Sequence, residues 1–409
     1  LVSDIDLIRI AVKNIDKKRA IEIDSSLLTQ DPIKVIDDPN IQVVVEVMGG
    51  IEPAKELILR AISKGKSIVT ANKALIARHG EEIANAAISS GVYVLIEAAV
   101  GGGIPIIEPL KQSLGGNKIS QVSGIINGTT NYILSRMSEH GDAYQDVLKD
   151  AQKLGYAEAD PGADVEGFDA ADKIAILSGL AFGGSINREE VPTQGINKLK
   201  SQDINYATQL GYSVKLLAIA KRLVSPQGEE SSQPLALWVE PTLVPNEHPL
   251  AGVNGVNNAI FIEGEPIGKV MFYGPGAGAG PTASAVVADI LNIAGVKVLD
   301  NQKSIGLLDP LLSAASWRNC HLVNANEIIQ KNYLRLFAED SPGVIGQIGS
   351  IFGEFNVSIQ SIVQFDANEG GAEIVVITHE VKKGQIIDSL SKIKKLSEVK
   401  SIEAQMGCL

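Results

Sequence analysis

Between Gly155 and Lys173 this 409-residue chain places Tyr156, Glu158, Asp160, Asp164, Glu166, Asp169 and Asp172 in one short stretch. Asp169 and Lys173 stand four residues apart, so on a helix they share a face. An exposed pair of this kind stabilises a helix by only ~0.3–0.5 kcal/mol. The run behind the lysine argues against a plain surface pair, because residues 174–182 are almost wholly apolar and read as a buried helix. A lysine entering such a helix is partly desolvated, which favours the neutral amine and suits proton transfer. The carboxylates before it would receive the ammonium group of a small zwitterion.

Three further segments could carry chemistry. Thr70, Asn72 and Lys73 cluster just past the end of an apolar run, where a parallel sheet opens its binding crevice. Glu97 is followed by Val100, Gly101, Gly102, Gly103 and Ile104. A carboxylate beside bare carbonyls can hold a hard cation through oxygen alone, although a tight strand-to-helix turn explains the same residues. Gly274–Gly280 opens a helix as phosphate-cradling loops do, a weak signal in isolation. Near the end, Asp340–Val344 could hold a small carboxylate, or be a capped helix start with Ser341 as N-cap and Pro342 at the first helical position.

The elements that must position these groups are set by periodicity. Strands are expected at Leu7–Val12, Gln42–Val47, Ser67–Thr70 and Val92–Glu97, with helices over Ala54–Ser63 and Gly80–Ser90 between them. Val- and Ile-rich strands alternating with helices predict a parallel sheet covered on both faces. From Asn117 the pattern becomes α+β: a strand at Ile119–Ile126, a helix from Tyr132, a helix over Asp169–Phe182, and strands at Leu235–Val239, Ala259–Glu263 and Val270–Tyr273. A helix over Thr282–Ala294 comes next. The stretch from Asn332 reads βαββαβ, a ferredoxin-like order. The fold class is therefore α/β: a doubly wound, Rossmann-like sheet over 1–116 with 275–315 returning to it, an α+β substrate and dimerisation domain over 117–274, a linker at 316–331, and a βαββαβ domain over 332–409.

Composition excludes several classes. Apolar residues make up 45% and charged residues 21%, the balance of a folded globular chain. A formal charge of −12 repels phosphate backbones, so nucleic-acid binding is not expected. Cys320 and Cys408 fit a reducing, cytoplasmic setting. The five histidines lack zinc-site spacing. No apolar stretch reaches the roughly 20 residues of a bilayer span, Val92–Ile107 coming closest, so a membrane protein is not expected.

Five segments, VTANKALIA, EAAVGGGIPII, GIINGTTNYIL, GYAEADPGADVEGFDAADK and GPGAGAGPTASAVVADI, resemble in order and spacing the homoserine dehydrogenase family of the monofunctional type with a C-terminal ACT domain. The resemblance covers nearly the whole chain. It implies NAD(P)H-dependent reduction of aspartate 4-semialdehyde to homoserine, on the branch to threonine, isoleucine and methionine. By motif it implies Lys173 as proton donor, Asp169 as its substrate-orienting neighbour, and Lys73 between nicotinamide and substrate. Glu158, Tyr156 and Asp164 would bind substrate. Thr70, Gly155 and Gly278 would meet the cofactor, and Glu97, Val100, Gly102 and Ile104 a sodium ion, three of them through backbone carbonyls. It further implies a homodimer or homotetramer, with threonine as effector bound near Asp340–Val344 and Asn356.

One departure stands out. The family's G-x-G-x-x-G fingerprint and its strand are absent, and the chain opens at Leu1 in mid-pattern. Either the fingerprint has been lost or it lies upstream of Leu1, and a polypeptide that truly lacks it is expected to bind pyridine nucleotide poorly or not at all. Lys13, with Lys17, Lys18 or Arg19, comes after the first visible strand where an acidic ribose partner is usual, which suits the 2′-phosphate of NADP. A non-catalytic amino-acid sensor that keeps the fold without a working cofactor half is the alternative from another class.

Overall fold

Short Val- and Ile-rich strands open the chain. β1 (Ile10–Ala11) pairs in parallel with β2 (Leu28–Thr29), and α1 (Ile33–Ile36) comes after them. β3 (Val43–Glu46), β4 (Ser67–Thr70) and β5 (Val94–Leu95) form a second parallel sheet in that order, alternating with α2 (Ala54–Ser63) and α3 (Lys73–Ser90). All of β4 is buried, as a strand covered on both faces must be. Three expected elements differ, the strand expected over Leu7–Val12 being cut to Ile10–Ala11. α3 begins at Lys73 rather than Gly80, because the Asn72 side chain accepts from Leu75 N and caps it. The strand expected at Val92–Glu97 stops at Leu95, and Glu97–Ala99 forms a 3-10 turn before α4 (Ile107–Lys111).

The chain continues through β6 (Lys118–Ile125), α5 (Gly128–His140), α6 (Tyr144–Lys153), α7 (Gly162–Val165), α8 (Phe168–Phe182) and α9 (Ser201–Gln209). Long strands come next, β7 (Tyr212–Arg222), β8 (Leu235–Pro245), β9 (Asn257–Glu265) and β10 (Gly268–Pro275), then α10 (Ala279–Asn301). Residues 279–296 of α10 are long and apolar enough to cross a membrane by length and composition, so this helix, and not Val92–Ile107, comes closest to a span. Ile293 of that helix packs with Val69 and Leu95, so one of its faces serves the β3–β5 sheet.

The last stretch is β11 (Ile329–Ala338), α11 (Val344–Glu354), β12 (Ile359–Asp366), β13 (Ala372–Thr378), the short β14 (Val381–Lys382), α12 (Lys383–Ile393) and β15 (Val399–Cys408). The βαββαβ order is present, and its two helices cover one sheet face through Val344, Ile348, Phe352, Ile386 and Leu390. Residues 316–321 of the expected linker lie outside the described residues. These are 5–223, 234–301, 322–366 and 371–409 of the computed structural model.

Two compact units result. Residues 1–119, 172–189 and 263–320 contribute to the first, and 120–171, 190–262 and 321–409 to the second. The division falls inside α8, between Ala171 and Asp172. Within the second unit the strand order is β9-β6-β7-β8-β15-β11-β13-β12, so the βαββαβ module extends the sheet instead of standing apart. β15 joins β8 in parallel, with Gly407 opposite Thr242 and Cys408 opposite Leu243. Buried charge reinforces the join. Arg335 on β11 donates to Asp203 on α9 at 2.7 Å and to Glu373 at 2.9 Å, and Lys383 donates to Glu240 on β8 at 2.6 Å.

Arg335 and Asp203 are 1% and 0% exposed, so neither charge can turn to water when its partner is removed. Asp203→Ala should destabilise the second unit by about 3–5 kcal/mol, measured by denaturant unfolding. Arg335→Met/Asp203→Leu should recover most of that loss. A single-variant effect below about 1 kcal/mol would show that the pair does not hold the module.

Candidate active site

The end of β4 is held by a polar relay. Thr70 Oγ1 donates to Glu46 Oε2 at 2.7 Å and accepts from Asn72 N at 3.0 Å. The other oxygen of Glu46 accepts from Met48 N at 2.7 Å and Gly49 N at 3.2 Å. Asn72 donates to Gly50 O at 2.6 Å, a reach possible because Gly49 and Gly50 take φ of 73° and 77°. Thr70 and Asn72 thus shape the loops at the carboxyl ends of β3 and β4, and Lys73 stands in the first turn of α3, half-buried. Glu46 carries no motif and is legible only as the last residue of a strand.

The two glycine-rich loops of the first unit meet. Gly103 N donates to Pro275 O at 3.1 Å. A Cβ on Gly102 would lie 2.4 Å from Gly276 O, and Gly102 has a φ of 55°. Gly274–Gly280 is therefore packed onto the 100–104 loop and is not a free connector. The carboxylate of Glu97 is committed elsewhere: Oε1 accepts from Ile106 N at 2.6 Å and Ile107 N at 2.9 Å, and Oε2 from Glu108 N at 2.8 Å, capping α4. Asp289 accepts from Glu97 N at 2.9 Å, and burial pushes its carboxyl up to about 7. Burial also raises the Glu108 carboxyl. The carbonyls of Val100, Gly102 and Ile104 take no backbone N–H donor among the described residues. No group of three or more His, Cys, Asp or Glu side chains among the described residues is placed to hold a metal. Any cation here would rest on backbone carbonyls, including that of Glu97 in place of its side chain.

In the second unit the acidic stretch is organised from α5. Asn127 caps that helix, its Oδ1 accepting from Thr130 N at 2.9 Å. This cap starts α5 four residues before the expected Tyr132. The Asn127 Nδ2 donates to Asp164 at 2.7 Å and to Asp169 at 2.9 Å. Thr129 Oγ1 donates to Tyr156 O at 2.6 Å and lies 3.2 Å from Asp164 Oδ2. The Tyr156 ring lies 5.0 Å from that of Tyr132. Gln152 donates to Glu158 O at 3.1 Å, leaving the Glu158 side chain exposed. Gly155 turns the chain out of α6 with a φ of 77°.

Lys173 is 8% exposed in α8, and the residue before it is the helix's anchor in the first unit. Asp172 Oδ1 accepts from Arg188 Nε at 2.6 Å and from Arg78 Nη1 at 3.0 Å. Arg78 belongs to α3, the helix that starts at Lys73. One aspartate therefore ties the turn bearing Lys173 to the helix bearing Lys73. The sequence shows Asp172 and Asn127 but not these roles, since an acid before a helix lysine and an asparagine before a helix both look ordinary.

The remaining candidates fall where short-range rules place them. Gly278 has a φ of 115° two residues before Gly280. Lys13 lies just past β1 and is exposed, while the Arg19 guanidinium donates to the carbonyls of Asn14, Ile15 and Lys17. In the βαββαβ module the expected Ser341 cap is not formed. Gly343, with a φ of 96°, is the capping residue of α11, and the Asp340 carboxylate accepts from Gln364 at 2.9 Å. Asn356 holds a left-handed φ of 55°.

Comparison with known proteins bears on this arrangement. Three family models match the chain: Homoserine dehydrogenase over residues 105–291, Homoserine dehydrogenase, NAD binding domain over residues 2–97, and ACT domain over residues 332–398. A homoserine dehydrogenase of Synechocystis sp. is 52% identical over 409 residues, covering 100% of this chain and 93% of that one. That of Neisseria gonorrhoeae is 44% identical, covering 91% and 83%. The crystal structure of a homoserine dehydrogenase from Thiobacillus denitrificans has a TM-score of 0.90 at 41% identity, covering 98% of this chain and 90% of that one. A hyperthermophilic archaeal homoserine dehydrogenase in complex with NADPH has a TM-score of 0.55 at 30% identity, covering 64% and 75%.

The contact between glycine loops can be tested against its own control. Gly91 has a similar φ of 64° with nothing within 4 Å of an added Cβ, whereas Gly102 faces backbone at 2.4 Å. Gly91→Ala should lose about 1 kcal/mol from strain alone, and Gly102→Ala that amount plus about 1–3 kcal/mol from overpacking. Thermal unfolding of both variants checks this. Equal losses would mean that the loops can part freely.

Proposed function

The chain belongs to the homoserine dehydrogenase family, and on that premise we propose how its residues reduce L-aspartate 4-semialdehyde to L-homoserine. The observation that carries the reading is the Arg78–Asp172–Arg188 cluster, which joins the helices of Lys73 and Lys173 within one unit. A reduced nicotinamide, when bound in the first unit, supplies the hydride that the aldehyde carbon accepts. As the C–H bond forms, the carbonyl π-electrons move onto oxygen. The Lys173 ammonium stabilises that charge and gives the oxygen its proton, then regains one from solvent. General acid assistance of this kind is worth roughly 10²–10⁴-fold. Asp169 orients the substrate one helical turn before the lysine, Glu158 takes the substrate ammonium, and Tyr156 and Asp164 line its pocket. Lys73 serves nicotinamide and substrate from the N-terminus of α3. A non-catalytic sensor has no need of this set, and that reading is not favoured.

The cofactor reading rests on chain features of the first unit. Loops at the carboxyl ends of β3 and β5 are glycine-bearing, Thr70 holds the one after β4, and the Gly102–Gly276 contact leaves no room for a side chain. Gly155 and Gly278 offer bare backbone to the nicotinamide half. NADP is preferred, with Lys13, Lys17 and Lys18 exposed beside β1 for a 2′-phosphate and Arg19 committed to folding that loop. A sodium ion fits the carbonyls of Glu97, Val100, Gly102 and Ile104, a set of hard oxygen donors that would brace the loop. Threonine is the effector of the ACT domain, held near Asp340–Val344 and Asn356. The assembly is a homodimer or homotetramer, and the compartment is the cytoplasm.

Lys173→Ala should lower turnover by at least about 10²-fold in an NADPH-oxidation assay with aspartate semialdehyde. Turnover equal to the parent's would remove Lys173 from the proton step. Lys13→Ala should raise the KM for NADPH and leave that for NADH unchanged. A threonine titration showing neither binding nor inhibition would eliminate that effector.

A further inference from the structure

We propose that Asn127 is a positioning residue of the reducing site, its one carboxamide nitrogen holding Asp164 and Asp169 in a fixed mutual geometry. The proposal rests on the substrate roles given above to those two aspartates. Asn127 is 5% exposed and every hydrogen-bonding position of its side chain is engaged. The oxygen accepts from Thr130 N at 2.9 Å and Thr130 Oγ1 at 3.0 Å. Those two donors fix which side of the amide is oxygen, so the nitrogen must face the carboxylates. Its two N–H groups are then divided, one to Asp164 Oδ1 at 2.7 Å and one to Asp169 Oδ2 at 2.9 Å.

The residue type exceeds what a helix start demands. An N-cap needs only an acceptor, and serine or aspartate would serve as well. Only a carboxamide offers the acceptor together with two donors. Aspartate at 127 would bring a third carboxylate against two others, and serine would offer at most one proton. Two carboxylates drawn to one amide nitrogen repel each other, and the N–H groups between them offset part of that repulsion. Asp169 lies in the first turn of α8, where its orientation bears on how the substrate is held.

Asn127→Ser keeps the helix cap and removes the bridge, and Asn127→Asp keeps shape and acceptor. Asn127→Ser should fold with an unfolding midpoint near the parent's, and Asn127→Asp with a lower one because its added carboxylate lies against two others. Both should keep the KM for NADPH and lose kcat/KM for aspartate semialdehyde on the order of 100-fold, Asn127→Asp more than Asn127→Ser. Parent-like folding with kcat/KM within about twofold in both variants would overturn the assignment. So would failure of both to fold, which would give Asn127 a role in the fold alone. Carboxyl-carbon NMR of labelled aspartate reads the same claim without turnover. The Asp164 and Asp169 resonances should both move in Asn127→Ser, and unmoved resonances count against the bridge. If the parent chain failed to reduce the semialdehyde, the reaction reading would fall while this readout still judged the bridge.

Discussion

The first turns of α8 bury charge that has to be neutralised inside the protein. Asp169, Asp172 and Lys173 are 5%, 7% and 8% exposed on a helix whose continuation is apolar. Desolvating a carboxylate without a partner costs several kcal/mol. Asp172 is met by Arg188 and Arg78 in the first unit, and Asp169 by Asn127 in the second. This requirement reaches well beyond the helix itself. Within the first unit the placing of α3, which carries Lys73, follows from where Asp172 must find donors; within the second, the start of α5 follows from where Asp169 must.

Backbone, not side chains, does the corresponding work at the glycine loops. Glu97 lies in a motif that invites reading its carboxylate as a ligand, yet that group caps α4 through three amides. The loop is thereby pinned, with Gly101 and Gly102 in left-handed backbone and Gly102 against Gly276. A loop fixed this way presents its carbonyls in a set direction.

The ACT domain is not appended by a tether to the sheet it would regulate. β15 lies beside β8, and along the join the Arg335–Asp203 pair is buried while Lys383, partly exposed, reaches the buried Glu240. Tyr206 of α9 also stacks on Phe365 of β12, with ring centroids 4.4 Å apart. A displacement of β11 or β12 would therefore reach α9, an element that packs in turn on α5. α9 and β8 both contact the βαββαβ module and the rest of the second unit.

Local rules made much of this legible. The parallel βα alternation, the βαββαβ order, α8 and the glycine turns all stem from hydrophobic periodicity and from φ requirements that act within a few residues. Lys173 could be singled out because an apolar helix begins beside it. The partners could not. Arg78 lies 94 residues from Asp172, and Asn127 lies 37 and 42 residues from Asp164 and Asp169. Asp203 meets Arg335 across 132 residues. At such separations sequence carries no distance information, and each of these side chains looks locally like a cap or a surface charge. Composition and periodicity determined which segments become helix and strand and which residue types could do chemistry. Only the tertiary structure decided which carboxylate is neutralised by which donor, because burial leaves a charge no alternative to the partner that the packed chain brings to it.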